Sequence, residues 1–299
     1  MRRRKTIGVL GLAVLTVPFP AMANTLPSDA GVFDEFIGVR SAGMGGAHRG
    51  LGTSNDTIYL NPAGMAAARR YSVELNYGYS PFDQLTHLNI SAVDSKSGPV
   101  AGAVSYTHTR GDGDDVDAGL HRVYIAAAYA ISDSIALGMT ARHIRGEFNE
   151  DSQRRELELY GGDIGALIRL GPVGLGVTAH NVIKEEVARM MPLTFGFGAA
   201  YSSGPLTVAA DFDIDTRKTE KSLRTYRVGG EYFIANAFPL RIGYYHSPFT
   251  RRDGKDQSES VITGGAGWVT GTGAVAASFE RSIDRARNWS LVACLQFFL

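Results

Sequence analysis

The sequence predicts an all-β protein, a transmembrane antiparallel β-barrel of about 14 strands with a small N-terminal plug (hatch). Three observations lead to this prediction. From residue 70 onward, apolar and polar residues alternate in one segment after another, as in strands with two different faces. The connections between these segments alternate between short turns and longer charged loops. Glycine is abundant, with 36 residues in a chain of 299, and no stretch after residue 23 is long and apolar enough for a membrane helix.

Residues 1–23 have the three parts of a secretory signal peptide. A basic start at residues 2–5 precedes an apolar stretch over residues 7–19, and an Ala-x-Ala ending closes at Ala23. The apolar stretch is shorter than the ~20 residues of a membrane-spanning helix. We therefore expect export and cleavage after Ala23. The mature chain would then carry 26 basic against 30 acidic residues, a formal charge of −4, which does not favour nucleic-acid binding.

The chain has one cysteine, Cys294, so no disulfide can form within the monomer. Its distance from the predicted cleavage site argues against a lipidated first residue. An exported chain of this size without disulfides needs stabilisation by burial or by a bilayer. We expect Cys294, on the last strand, to be a small packing residue.

The mature chain divides into two regions by pattern. Residues 24–69 are rich in glycine and small residues and show no strand alternation, so we expect them to form the plug inside the barrel. Residues 70–299 would form the transmembrane barrel. Its predicted strands, with ends defined to about two to four residues, lie near 70–79, 86–94, 100–110, 121–131, 135–147, 159–170, 173–182, 192–202, 206–214, 223–233, 238–246, 259–269, 274–282 and 288–299.

The connections support an outer-membrane barrel. The short set is rich in Gly, Ser, Asn and Pro and comprises 95–99, 132–134, 171–172, 203–205, 235–237 and 271–273. The longer and more charged set comprises 111–120, 148–158, 183–191, 215–222, 247–258 and 283–287. The two sets alternate strictly along the chain. Short turns on one side and longer loops on the other are typical of bacterial outer-membrane barrels.

The two faces of the strands differ in a way that favours a membrane over water. One face is apolar, with aromatic residues near the strand ends, while the other is mostly Gly, Ala, Thr or Ser with sparse charges. A soluble β-sandwich, the alternative, would usually carry more charge on its second face. Small residues with pairable charges suit a narrow polar lumen. The candidate lumen-facing residues are Glu74, Arg142, Asp163, Arg169, His180, Asp211, Arg227, Glu231, Arg241 and Glu280.

The predicted plug contains a glycine-rich motif with turn-forming residues. Gly43, Gly45 and Gly46 would permit positive φ and a close approach of the backbone to the barrel wall. Pro62 presets a turn that the side chain of Asn61 can stabilise. We expect Asn55, Asp56 and Asn61 to satisfy polar groups of the plug against lumen residues such as Arg142 or Arg227. The plug motif therefore comprises Gly43, Gly45, Gly46, Asn55, Asp56, Asn61, Pro62 and Ala63.

The run from Gly38 through Ala47, followed by Asn55-Asp56 and by residues 61–66, resembles the N-terminal hatch of the FadL-like outer-membrane superfamily. Its sequence pattern is GxRxxGMGGA, followed by ND and then by NPAGMA. This pattern is similar to the version found in the PorV/PorQ family. The resemblance implies a 14-stranded barrel with a plug, in agreement with the count made from alternation. The motif covers about residues 36–68. The outer loops are short for a fatty-acid transporter of this superfamily.

Two classes of function follow from this resemblance. The first is an outer-membrane channel for uptake of small hydrophobic compounds, fatty acids or other apolar solutes, which would bind behind the plug and leave through a wall gap or by plug rearrangement. The second is a PorV/PorQ-like protein that assists protein secretion or surface attachment and has a secreted-protein partner. A purely structural barrel is the third. In each case the protein would contact outer-membrane lipid and lipopolysaccharide.

Other features carry weaker predictions. The carboxylates of Asp112, Asp114, Asp115 and Asp117 could hold a divalent cation in an outer loop. Arg251, Arg252 and Lys255 could contact lipopolysaccharide phosphates. The histidines show no metal-ligand spacing, and no G-x-S-x-G nucleophile elbow is present. The glycine-rich run lacks the preceding strand of a dinucleotide site. We therefore expect no enzyme activity, no cofactor and no resident metal.

Overall fold

The structure, a computed structural model, describes residues 37–82, 84–113, 116–150, 153–183, 191–216, 223–250, 256–285 and 287–299. The predicted signal peptide, its cleavage site and the first part of the predicted plug lie outside these residues. Within the described residues, 14 antiparallel strands form a closed barrel in which β1 pairs with β14 and every other pairing joins neighbours in sequence. The predicted antiparallel barrel of about 14 strands is confirmed.

The strands follow the predicted segments closely. They are β1 Tyr71–Ser80, β2 Leu85–Asp94, β3 Val100–Gly113, β4 Val116–Ala130, β5 Ile135–Glu150, β6 Gln153–Leu170, β7 Val173–His180, β8 Thr194–Ser203, β9 Leu206–Asp215, β10 Leu223–Ile234, β11 Phe238–Thr250, β12 Asp256–Val269, β13 Gly273–Ser282 and β14 Trp289–Phe298.

The barrel wall differs in height around its circumference. Strands β3 to β6 have 14, 15, 16 and 18 residues, so most of the predicted loops 111–120 and 148–158 are strand instead. The sequence hides these extensions because the outward face of a strand becomes polar once it rises above the bilayer, as at Glu156 and Glu158 of β6. Strand β7 has only 8 residues, fewer than the ~9–11 that a tilted membrane strand needs. The loop 247–258 is shortened in the same way by β11 and β12.

The outward face of the barrel is apolar. On β1, Leu75 and Tyr77 are 40% and 49% exposed, whereas Glu74 and Asn76, which alternate with them, are 4% and 1% exposed. The same arrangement holds on the other strands, and it is the one that a bilayer requires of a closed barrel. Among the described residues, no helix is long and apolar enough to cross a membrane.

Residues 37–70, here called the N-terminal segment, pack against the inward face of the strands. In the described part of the segment, helix α1 spans Val39–Gly43, helix α2 spans Thr57–Leu60, and a 3₁₀ helix spans Pro62–Ala67. The 3₁₀ helix contacts β3 to β6, and α1 contacts β11 to β14 on the other side of the lumen. Tyr59 and Met65 pack with Tyr124 of β4. Cys294 is buried beside Val39 and Ala42 of α1.

Candidate functional site

The ten candidate lumen residues occupy inward-facing strand positions. Most are buried, and Arg169 is exposed at the short-turn end of β6, where its Nη1 donates to the carbonyl of Ala67 at 2.6 Å. The strands that carry them are β1 (Glu74), β5 (Arg142), β6 (Asp163, Arg169), β7 (His180), β9 (Asp211), β10 (Arg227, Glu231), β11 (Arg241) and β13 (Glu280). Several of them pair with one another or with the N-terminal segment.

The first ion-pair cluster holds helix α1 to the barrel. Arg40 donates to both carboxylate oxygens of Glu231, from Nε at 3.1 Å and from Nη2 at 2.6 Å. Arg241 donates to the same carboxylate from Nε at 2.7 Å. The Glu231 side chain is fully buried, and those of Arg40 and Arg241 are 17% and 6% exposed. One buried carboxylate therefore pairs with two guanidinium groups, one of which belongs to the N-terminal segment.

The second cluster holds the chain that follows the glycine motif. The backbone N–H groups of His48 and Arg49 donate to Asp211 Oδ2 at 2.9 and 3.0 Å. The Arg49 guanidinium reaches Asp211 at 3.2 Å and Asp213 at 2.8 Å. Arg227 of β10 pairs with Asp213 from the other side. Buried charges are tolerated only when they are paired and hydrogen-bonded. The attachment of residues 48–49 to the wall therefore depends on all four charged groups, the side chains of Arg49, Asp211, Asp213 and Arg227.

The third cluster lies where β7 ends. Arg142 donates to Asp163 at 3.0 Å and also to Asn181. The backbone N–H of Asn181 donates to Asp163 Oδ1 at 2.8 Å, and His180 Nδ1 lies 3.6 Å from the same oxygen. These contacts hold the start of the chain that leaves the sheet after His180.

The expected pairing of Asn55, Asp56 and Asn61 with Arg142 or Arg227 is not what the structure shows. Asn55 bonds Ser72 and Ser91 on the wall, and Asp56 accepts from the backbone N–H of Ser41 at 3.0 Å. The two arginines pair with wall carboxylates instead. Arg40, Arg49 and Asp213 are functional-site residues that the sequence analysis did not single out, because an ion pair between distant segments leaves no local pattern.

Asn61 and Pro62 form the turn that their chemistry predicts. Asn61 Oδ1 accepts from the backbone N–H of Ala63 at 3.2 Å, and Pro62 begins the 3₁₀ helix. The Asn61 amide also donates to the carbonyls of Arg49 and Ala166, at 2.9 and 3.1 Å. It therefore joins two parts of the N-terminal segment to β6.

The glycine motif allows the segment to touch the wall backbone. Gly45 and Gly46 have φ of +65° and +76°, a region that residues with a Cβ rarely adopt. A Cβ on Gly45 would lie 2.8 Å from the backbone N and O atoms of Tyr244 on β11. Gly43 has an ordinary helical backbone, and it lies close to Arg241 and Gly265.

His48 should make the seating of the segment depend on pH. The pKa of His48 is lowered to about 4, chiefly by burial and also by Arg40, whereas Asp56, Asp211 and Glu231 act to raise it. If the N-terminal segment leaves the lumen, His48 would titrate near its ordinary pKa. Between about pH 6.5 and about pH 4 the detached state therefore binds a proton at His48 that the attached, or seated, state does not bind. The seated state should therefore be fully favoured above about pH 6.5 and lose stability as the pH falls toward the folded pKa of about 4. The hydrogen-exchange rate of residues 41–57, corrected for intrinsic rates, should therefore increase as the pH falls from about 6.5 toward about 4.

The variant His48→Gln is the control for this prediction. Glutamine does not titrate, so exchange of the same residues should change less between about pH 7 and about pH 5. An equal change in both proteins would assign the pH dependence to the neighbouring carboxylates instead.

An apolar stripe lines one side of the outer half of the lumen. Leu120, Ile144, Leu157 and Leu159 face inward on β4, β5 and β6 and are 0%, 5%, 7% and 2% exposed. Gly146 lies between Leu120 and Leu157 in register, so no side chain separates the two leucines. The inward face is otherwise mostly polar or small. The four side chains are buried in this structure, so a solute would reach the stripe only by displacing the groups that cover it.

Beside the stripe, the ladder between β6 and β7 stops early. Strand β6 pairs with β7 only over Ile164–Leu170. In the described part of the chain, no strand pairs with the stretch 153–163 of β6 on that side. The chain that follows β7 still covers Gly162, whose carbonyl accepts from the backbone N–H of Val182 at 2.8 Å and which lies against Ile183. Tyr160 and Ile164 flank Gly162 on the outward face with 39% and 50% exposure. The uncovered stretch of β6 therefore begins at the upper edge of the apolar belt and carries the exposed outward residues Glu156 and Glu158.

Some predicted sites cannot be placed. Asp114, Asp115 and the basic residues Arg251, Arg252 and Lys255 lie outside the described residues, as do the side chains of Asp112 and Asp117. Across the ranges that are described, no group of three or more His, Cys, Asp or Glu side chains could hold a metal ion.

Fold and inner wall together define a closed 14-stranded barrel with an N-terminal segment packed against its inward face, and solved structures align with most of the chain. The chain aligns with the CymD monoaromatic hydrocarbon channel at a TM-score of 0.68 and 12% identity, over 88% of this chain and 97% of that one. It aligns with a FadL homologue of Pseudomonas aeruginosa at 0.67 and 12%, over 88% and 98%. The toluene transporter TbuX of Ralstonia pickettii gives 0.65 and 11%, over 88% and 97%.

The chain therefore has a FadL-like fold, and these identities support the fold alone. No protein-family model matches the chain, and no curated protein matches it in sequence. The resemblance to PorV/PorQ rests on the N-terminal motif.

Proposed function

We propose that the protein is an outer-membrane channel for the uptake of small hydrophobic compounds. The observation that carries the proposal is the inward-facing apolar stripe in a lumen that is otherwise mostly polar. Structures of similar fold are a monoaromatic hydrocarbon channel and a toluene transporter, which makes small aromatic hydrocarbons the first compounds to test, followed by fatty acids. The proposed location in the outer membrane depends on export by the signal peptide that is predicted at residues 1–23.

The proposed route begins on the long-loop side and ends in the wall. A compound would displace the groups that cover the stripe formed by Leu120, Ile144, Leu157 and Leu159. It would then leave between β6 and β7 by displacing the chain after β7 from Gly162. The N-terminal segment would act as the plug that closes the lumen below. The free energy of an apolar solute falls at each step because the solute stays away from water. The route also avoids the polar lipopolysaccharide layer.

Uptake of radiolabelled toluene and of a labelled fatty acid by a deletion strain tests the proposal. The strain should lose uptake of at least one compound and regain it with the wild-type gene. Leu159→Thr, which puts a hydroxyl into the stripe, should restore uptake poorly. Leu170→Thr is the matched control, because it makes the same change on β6 at an outward position that is 58% exposed. Unchanged uptake in the deletion strain would overturn the proposal.

The PorV/PorQ-like role is tested by a different observation. Affinity purification from a detergent extract would recover a stoichiometric secreted protein if that role were correct. Recovery of a hydrocarbon or lipid in the absence of such a protein would favour the channel.

A further inference from the structure

Two residues that follow β7 lie on β6 without belonging to the ladder between the two strands. The backbone N–H of Val182 donates to the carbonyl of Gly162 at 2.8 Å. The side chain of Ile183 occupies the outward space over Gly162, where a Cβ would lie 2.8 Å from its Cδ1. Val182 and Ile183, here called the cover, are 39% and 52% exposed. The regular pairing of β6 with β7 ends at Ile164, so the cover can be displaced while that ladder stays intact.

Asn181 joins the cover to β7 through a left-handed backbone conformation. Its φ is +60°, a region that asparagine tolerates better than most residues that carry a Cβ. The register of β6 and β7 would place Asn181 opposite Gly162, yet the residue that bonds Gly162 is Val182. One extra residue is therefore inserted here, as in a β-bulge, and the chain changes direction at this point. Asn181 is thus the position about which the cover can turn.

The contacts of Asn181 fix this conformation. Its backbone N–H donates to Asp163 Oδ1 at 2.8 Å, and its side-chain oxygen accepts from Arg142. Its Nδ2 donates to the carbonyl of Pro192 at 2.8 Å, where the chain returns toward β8. Asp163 and Arg142 pair with each other at 3.0 Å and are 2% and 8% exposed. The Asn181 side chain therefore joins the departing and the returning chain to a buried ion pair.

The side chains that flank β6 at this point come from other segments. On the outward side of Gly162 lies Ile183, and a Cβ on the adjacent Gly161 would lie 2.6 Å from Cε of Met191. Neither side chain belongs to β6, so both can withdraw while β6 keeps its ladder with β5. The outward neighbours of Gly162 along the strand are Tyr160 and Ile164, so a solute that leaves here meets apolar and aromatic surface.

We propose that Asn181 is the latch of the exit: its contacts hold the cover over Gly162, and an apolar solute reaches the bilayer when the cover turns away. The cover lies at the upper edge of the apolar belt, where headgroup water can bond the Val182 N–H and the Gly162 carbonyl after they separate. The inference rests on the proposed function, because it names the residue that controls the exit of that channel. Asn181 is a positioning residue, since it acts through the cover.

The variant Asn181→Gly tests the latch. Glycine adopts φ of +60° without strain, so the variant keeps the backbone and removes the side-chain contacts to Arg142 and Pro192. Site-resolved hydrogen exchange of the purified full-length barrel should show the Val182 amide exchanging roughly tenfold faster than in the wild type. The matched control is Asn236→Gly, which makes the same change at φ of +57° in the turn between β10 and β11 and should leave Val182 unchanged. Unchanged protection of the β7 amides shows that each variant is folded.

Uptake by the complemented deletion strain tests the role of the latch in transport. Asn181→Gly should raise the initial uptake rate several-fold over the wild-type gene, and Asn236→Gly should not. Unchanged exchange at Val182 would overturn the latch. Faster exchange with unchanged uptake would overturn the exit at the cover and leave the channel standing. If the deletion strain loses no uptake, the proposed function fails and the exit role with it, while exchange at Val182 still decides whether Asn181 holds the cover.

Discussion

Replacing Glu231 with glutamine should loosen the N-terminal segment from the barrel. The substitution keeps the size of the side chain and removes the charge that pairs with both Arg40 and Arg241. Both guanidinium groups would then lose the carboxylate that they share, and breaking a buried ion pair in this way costs roughly 3–5 kcal/mol. Hydrogen exchange of residues 37–50 should rise strongly, and ion conductance across a planar bilayer should increase if the segment closes the lumen.

The control for this prediction is Glu158→Gln. Glu158 pairs with His143 on the outward surface, where its side chain is 54% exposed, so its loss should leave the segment unchanged. The barrel strands should stay protected in both variants, since their ladders do not depend on either carboxylate. Unchanged exchange in Glu231→Gln would show that the apolar contacts alone hold the segment.

The segment is held by different forces on its two sides. Toward β9–β11 it is held by the buried ion pairs of Arg40 and Arg49. Toward β4–β6 it is held by apolar packing of Tyr59 and Met65. Loss of one ion pair should therefore release α1 and the glycine motif first and leave the 3₁₀ helix in place. A segment that loosens from one side could admit a solute and remain attached to the barrel.

The strands were predictable from the sequence because a bilayer demands apolar residues at every outward position. Alternation such as that of Leu75 and Tyr77 with Glu74 and Asn76 therefore places each strand and each face. The ion pairs were not predictable. Arg40 and Glu231 are 191 residues apart, and a pattern within one segment cannot show which inward charge it will meet.

The break in the wall was also invisible in the sequence. Alternation predicts a strand over 173–182, and the structure ends β7 at His180, followed by Asn181 with φ of +60°. The residues of β6 beside the break alternate like any others, because alternation reports the faces of a strand and not its partners. Gly161 and Gly162 are adjacent there, and their missing side chains were the available signal.

Locking the chain after β7 to Gly162 with a disulfide should stop transport. A Cβ on Gly162 would lie 3.1 Å from Cγ1 of Ile183, which is one bond from the Ile183 Cβ, so the two positions are close enough to test a disulfide, which needs a Cβ–Cβ distance of roughly 3.5–4.5 Å. The double variant Gly162→Cys/Ile183→Cys, made with Cys294→Ala to remove the native thiol, should lose most uptake when oxidised and regain it on reduction.

A second disulfide, placed in a continuous part of the wall, is the control. It tests whether a loss of uptake comes from locking β6 to the chain after β7 or from cross-linking the barrel anywhere. Ser202 and Thr207 pair across β8 and β9, with their hydroxyl oxygens 3.2 Å apart. Ser202→Cys/Thr207→Cys in the same background should transport equally well in both redox states. If the oxidised variant at 162 and 183 also transports normally, the compound does not leave between β6 and β7. Rearrangement of the N-terminal segment would then be the route, and Glu231→Gln should accelerate uptake, whereas exit through the wall predicts no such acceleration.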